Sequence, residues 1–190
     1  MARSREFDDE LLRATALGFF WSSGYEKTSL GEISKASGVG NGSIYAAYGS
    51  KHGLFMSIFE SYCESRVQIV THAMATGREP IDSVREFLAV VIADCANQPG
   101  RRGCLLVNTI SEFGSSKSDV MALARRTNLA MTDVIEDRIR GAKFAAEREH
   151  TVAAQILLVS QGLISLSRLN TPSHELTGIA EAYSSTLDAA

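Results

Sequence analysis

Apolar residues along most of this chain recur at steps of three and four, the period of one helical face. Runs alternating apolar with polar, as a half-buried strand would, are nearly absent. Leu12, Ala16, Phe19 and Phe20 place an apolar face on a first helix, with Asp8 suited to cap its start. Ser50 is suited to cap a fourth helix through Leu54, Phe55, Ile58, Phe59, Tyr62, Ile69 and Val70. In a fifth, Ile81, Val84, Leu88, Val91, Ile92 and Cys95 form a core stripe that Phe87 and Val90 widen. A long seventh carries Val120, Leu123, Thr127, Met131 and Val134 on one side and Arg125, Arg126, Asp133, Glu136 and Arg140 on the other. Breaks fall at 75–80, 97–103, 114–118 and 170–173, where Gly, Pro, Asn and Ser gather. The pattern predicts an all-α chain of about nine helices.

The segment 156–166, Ile-Leu-Leu-Val-Ser-Gln-Gly-Leu-Ile-Ser-Leu, is apolar nearly all round and interspersed with small residues. A helix of that kind needs burial on both sides. In a chain of 190 residues one side can meet the chain's own core, and the other is most economically buried by a second copy. The last helix adds a stripe of Leu176, Ile179, Ala180, Tyr183 and Leu187, so a homodimer through the last two helices is expected.

Between 24 and 51 the pattern tightens. Ile33-Ser34-Lys35-Ala36-Ser37-Gly38-Val39-Gly40 runs directly into Ser43-Ile44-Tyr45-Ala46-Ala47-Tyr48. Gly38 can take the positive φ of a tight turn, and Ile33, Val39 and Ile44 can lock two helices at a steep angle. That arrangement is a helix-turn-helix over about 29–48, with a second helix free to enter a DNA major groove.

Composition agrees with a globular chain. Hydrophobic residues make up 45% and prolines number three, enough apolar content for a core. Cys63, Cys95 and Cys104 form an odd set without close pairing, and no uninterrupted apolar run reaches the roughly 18 residues of a membrane span. The polar start Met-Ala-Arg-Ser-Arg-Glu lacks the apolar stretch of a signal peptide, so a reducing cytoplasm without membrane attachment is expected. The net charge of −3 does not exclude a DNA partner. Residues 1–53 hold equal numbers of basic and acidic side chains, and four of the acids cluster at positions 6, 8, 9 and 10 around the start of the first helix.

The residues 24–51 closely resemble the tetracycline-repressor (TetR) family of transcriptional regulators in Gly24-Tyr25-Glu26-Lys27-Thr28-Ser29, the Ile33–Gly40 run, Ile44-Tyr45 and Ser50-Lys51. The strong resemblance covers roughly residues 10–56. It implies an amino-terminal DNA-binding domain over 1–53 and a ligand-binding and dimerisation domain over 54–190, linked by the helix from about 51 to 73. The implied activity is that of a ligand-responsive regulator, expected to be a repressor, that binds a palindromic operator as a dimer. The implied DNA-binding residues are Thr28, Ser29, Asn41, Ser43, Tyr45, Tyr48 and Lys51, with Tyr45 and Lys51 on the phosphate backbone. Asn41 suits either a base edge or a helix cap, and Thr28 and Ser29 suit either a phosphate or capping. Ser34, Ser37, Gly40 and Ala47 depart from the family pattern. Ala47 lacks a polar contact that many relatives have, which either weakens operator binding or shifts the contact to Arg3, Arg5 and His52.

The carboxy-terminal part names no ligand chemistry. Cys104, Asn108 and Glu112 fall at four-residue steps and could line a cavity, with Phe87, Phe113, Met121 and Gln155 as further candidates for its wall. No cofactor is implied. Gly38-x-Gly40-x-Gly42 follows no strand, and Glu147-x-x-His150 is a single half of a di-iron pattern, so neither supports an enzyme. The alternatives are a helical adaptor or sensor of the same fold without specific DNA binding, and a thiol-based redox sensor.

Overall fold

The computed structural model describes residues 8–114, 116–142 and 144–188. Among them lie nine α-helices and no strand: α1 (Asp9–Ser23), α2 (Leu30–Ser37), α3 (Asn41–Tyr48), α4 (Lys51–Met74), α5 (Pro80–Asn97), α6 (Leu105–Phe113), α7 (Ser118–Ile139), α8 (Ala146–Arg168) and α9 (Ser173–Asp188). A short 3₁₀ turn, Pro99–Arg101, joins α5 to the loop before α6. The expected all-α architecture is thus observed, with one further break at 140–145 that the pattern did not mark.

Local signals place the helix starts. The Asp8 carboxylate accepts from Leu11 N, and the Ser50 hydroxyl accepts from Gly53 N, so both expected caps form. Ser29 and Glu32 close a reciprocal capping box on α2. Pro80 opens α5, where its missing N–H costs nothing.

Helices α1, α2 and α3 pack together and onto the first turns of α4 around Leu12, Ala16, Phe20, Ile33, Ile44, Leu54 and Phe55. The rest of α4 packs against α5, α6 and α7, and α8 packs against α5, α7 and α9. Helix α4 therefore packs against both groups.

By length and mean composition α8 is apolar enough to span a membrane, a test that core helices of soluble proteins also pass. It buries Val152, Ala153, Ile156, Leu157 and Leu163 within the helical bundle. Its outer face differs: Gln155, Leu158, Gly162, Ser165 and Leu169 are exposed at helical spacing, Leu158 at 66%. On α9, Leu176, Ala180 and Leu187 are buried while Ile179 is exposed.

Candidate nucleic-acid interface and ligand cavity

Helix α2 ends at Gly38, whose φ of 72° and ψ of 2° lie in the left-handed region. Only glycine enters that region without strain, which explains this residue at the turn. Val39 then inserts into the core, Gly40 takes the amino-terminal cap position of α3, and Ile44 pins α3 from beneath with no exposure. The opposite face of α3 presents Asn41, Gly42, Tyr45, Ala46 and Ala47 to solvent. Tyr45 is 53% exposed, an extent unusual for so large a ring.

The seven expected DNA-binding residues fall into two groups. Asn41, Ser43 and Tyr45 share α3, and none makes a side-chain hydrogen bond to the described residues. Asn41 is the first residue of α3 rather than its cap, since Gly40 holds that place without a side-chain hydrogen bond. The other four are already engaged. Thr28 is buried and its hydroxyl donates to the Gly24 carbonyl at 2.7 Å; the Ser29 hydroxyl belongs to the capping box. Tyr48 donates to Asp9 Oδ1 at 2.5 Å, and burial together with that carboxylate pushes its phenol pKa up.

Lys51 Nζ donates to the carbonyls of Tyr25 (3.0 Å) and Thr28 (3.1 Å) and sits 4.1 Å from the Tyr25 ring centre. Its ammonium thus holds the turn before α2 and keeps one hydrogen for another acceptor. His52 does not replace the contact missing at Ala47: its Nε2 lies 2.6 Å from Asp119 Oδ2 on α7, away from α3. Arg3 and Arg5 lie outside the described residues.

A cleft opens between α4, α5, α6 and α8, with room for water over about 50 Å³, and about 610 Å³ of space free of atoms once the adjoining open solvent is counted. Its walls are mostly apolar, with Val70, Phe87, Val91, Leu106, Met131 and Leu157 among them. Its polar wall comes from α4 and α5. Arg66 Nη1 donates to Asp94 Oδ2 at 3.0 Å, and Gln98 Nε2 donates to the same oxygen at 3.1 Å. Tyr62 accepts from Leu105 N at 3.1 Å and reaches Cys104 Sγ at 3.5 Å, tying α4 to the start of α6.

Of the expected cavity residues, Phe87 and Cys104 line the cleft; Asn108, Glu112, Phe113, Met121 and Gln155 do not. Cys104 is the cap residue of α6 rather than part of its first turn, and α6 turns its later residues toward the amino-terminal helices. The Asn108 amide bridges the Arg102 carbonyl and Arg168. Glu112 accepts from Tyr25 N and Glu26 N, both at 2.9 Å. Phe113 packs into the aromatic group of Tyr25 and Phe55, its ring centre 5.1 and 5.5 Å from theirs. Met121 packs against the core elsewhere, and Gln155 lies on the exposed face of α8. The residues missed were Tyr62, Arg66, Asp94 and Gln98. Their four-residue spacing on two helices was visible, but that these helices face each other was not.

Residues 12–58 match the model for bacterial regulatory proteins of the tetR family, and residues 80–182 match that for the C-terminal domain of LmrA/YxaF-like transcriptional regulators. The chain belongs to the TetR family of transcriptional regulators. Over 170 residues it is 24% identical to the uncharacterized HTH-type transcriptional regulator YezE of Bacillus subtilis, covering 88% of each chain. It is 34% identical over 131 residues to the HTH-type transcriptional regulator AcrR of Shigella flexneri, covering 66% of this chain and 59% of AcrR. The fold is shared with a TetR regulator from Legionella pneumophila (TM-score 0.80, 18% identity, 98% and 99% of the two chains). It is also shared with a cysteine mutant of the TetR-family regulator CifR, solved with a 26-bp operator duplex (TM-score 0.80, 24% identity, 96% and 98% covered). In this TetR-family chain, α3 is therefore the recognition helix of a helix-turn-helix, and its exposed face is the candidate nucleic-acid interface.

Proposed function

We propose that this TetR-family regulator represses transcription by binding a palindromic operator as a homodimer, and that a small molecule in the cleft between α4, α5, α6 and α8 releases it. The carrying observation is the two-sided character of α3: Ile44 is wholly buried, while Asn41 and Tyr45 are exposed with no side-chain partner among the described residues. Asn41 can pair with an adenine edge, and Ser43 and Tyr45 can donate to phosphates. Lys51 acts on the backbone indirectly, by fixing the Tyr25–Thr28 turn that carries α2. The amino-terminal DNA-binding domain spans 1–53, and the ligand-binding and dimerisation domain spans 54–190. A cytoplasmic location fits this role.

The outward face of α8, with Leu158 and Gly162, and that of α9, with Ile179, support a dimer joined through these two helices. Two α3 helices so held would read half-sites about 34–36 Å apart, one duplex turn. Helix α6 supports the coupling. Its start is held by Tyr62 at the cleft, and its end, about 12 Å along at 1.5 Å per residue, holds the α1–α2 turn through Glu112 and Phe113. A ligand that fits better when the start of α6 is displaced would shift the spacing of the two α3 helices.

One observation favours the alternative of a sensor without specific DNA binding: Thr28, Ser29 and Tyr48 are committed internally, and Lys51 spends two of its three hydrogens there. Binding to the DNA flanking its own gene, compared between wild type and Tyr45→Ala across a salt series, separates the two. A specific complex that the variant weakens supports the regulator; no specific complex at any salt supports the sensor.

A further inference from the structure

We propose that the cleft between α4, α5, α6 and α8 selects a small, electrically neutral, mainly apolar molecule carrying adjacent hydrogen-bond acceptor and donor groups, read by Arg66 Nε and Gln98 Oε1. This rests on the cleft being the ligand site of the regulator. Among the described residues Arg66 and Asp94 are the only charged side chains on its wall, and they pair at 3.0 Å toward its mouth, the Asp94 side chain 41% exposed. A charged ligand would bring an uncompensated charge into a mostly apolar space, so neutrality follows from the pairing already present.

The polar specification comes from what that pairing leaves over. A carboxylate only accepts, so the amide nitrogen of Gln98 must face Asp94, and its oxygen must face away. Gln98 Oε1 is then buried without a partner. Arg66 spends Nη1 on Asp94 and rests its guanidinium 4.9 Å from the Tyr62 ring centre, and its Nε is likewise buried without a partner. Unfilled buried polar atoms are uncommon in folded proteins. Of the five among the described residues, His52 Nδ1, Arg102 Nε and Tyr183 Oη lie on residues elsewhere, whereas Arg66 and Gln98 both line this cleft.

Three other polar side chains on the wall already have partners. Tyr62 is engaged with Leu105 N and Cys104, Ser160 donates to the Leu157 carbonyl, and Gln161 donates to Asn128. Arg66 and Gln98 both hold Asp94 Oδ2, so the two side chains meet at the same end of the cleft. A ligand head with a carbonyl oxygen next to an N–H or O–H answers both: its oxygen accepts from Arg66 Nε, and its hydrogen is donated to Gln98 Oε1. Its apolar remainder would lie against Phe87, Val91, Leu106 and Leu157. In the empty protein, water is the natural stand-in for the polar head.

The test is a direct titration of the full-length protein, followed by amide chemical shifts, with four compounds of similar size. Benzamide has both groups, acetophenone only the acceptor, ethylbenzene neither, and benzoate a negative charge. The expected order is benzamide, acetophenone, ethylbenzene, with about a tenfold step for each hydrogen bond and benzoate weakest. Gln98→Met should bring benzamide down to acetophenone. Arg66→Lys, which keeps the charge beside Asp94, should bring acetophenone down to ethylbenzene.

Benzoate binding most tightly, ethylbenzene matching benzamide, or no shifts at the cleft at millimolar concentration would each overturn the proposal. The wild-type order decides even if a variant fails to fold. Operator binding is measured on the same samples without ligand, so loss of the regulator reading and loss of this ligand class are separately visible.

Discussion

Removing the carboxylate of Glu112 tests the join between the two halves of the molecule. Its two oxygens accept from Tyr25 N and Glu26 N at 2.9 Å each, across the turn where Gly24 has a φ of 84°. A hydrogen bond to a charged group contributes about 1.5–3 kcal/mol when shielded from water. Glu112 and Glu26 are both exposed, so solvent competes and the pair is discounted to about 1 kcal/mol in total. Glu112→Ala is then expected to lower Tm by about 2–4 °C for a chain of this size. A loss near 1 kcal/mol also corresponds to roughly fivefold faster amide exchange at Tyr25 and Glu26, measurable by NMR in the native protein. Amides of α8, remote from the clamp, should change less. Unchanged exchange at Tyr25 and Glu26 would refute the clamp, and equal acceleration throughout the chain would mean that Glu112 acts on global stability rather than on this turn.

Tyr62→Phe leaves Leu105 N buried without its acceptor, so a loss of about 1–3 kcal/mol in urea unfolding is expected, whereas a more stable variant would contradict the hydrogen bond to α6. The hydrogen bond from His52 holds the Asp119 carboxyl below its ordinary value, so its contribution is present above the unfolded pKa of about 3.9 and is lost as pH falls through the folded value. Wild type should therefore exceed Asp119→Asn in stability near pH 6 and converge with it in acid, below about pH 4; a constant difference across that range would count against the pairing. Burial pushes the Cys63 thiol up to about 11, leaving roughly one thiolate in a thousand at pH 8, so Ellman's reagent should leave Cys63 unmodified until the chain unfolds.

Most of the helical architecture was legible because its signals are local. Gly38, the Ser50 cap and the buried triad of Ile33, Val39 and Ile44 each act within a few residues, and each occupies its expected place. The candidate site was legible where it rests on one helix, as with Asn41 and Tyr45. It was not legible where a side chain chooses among distant partners. The sequence places Cys104, Asn108 and Glu112 at equal steps, but α6 begins only after Cys104 and crosses between two groups of helices, so Glu112 meets the α1–α2 turn instead of the cleft. Nothing nearby in sequence showed that the carbonyls of Tyr25 and Thr28 lie within 3.1 Å of Lys51 Nζ. Arg66, Asp94 and Gln98 form a group only because α4 and α5 pack side by side.

In vitro selection from random DNA duplexes, run in parallel on wild type and on an Asn41→Ala, Tyr45→Ala double variant, tests the central claim most directly. The account predicts that wild type enriches a two-fold symmetric sequence with half-sites one duplex turn apart, and that the folded double variant does not. Enrichment of no sequence by wild type, or of the same sequence by both proteins, would contradict recognition through the exposed face of α3.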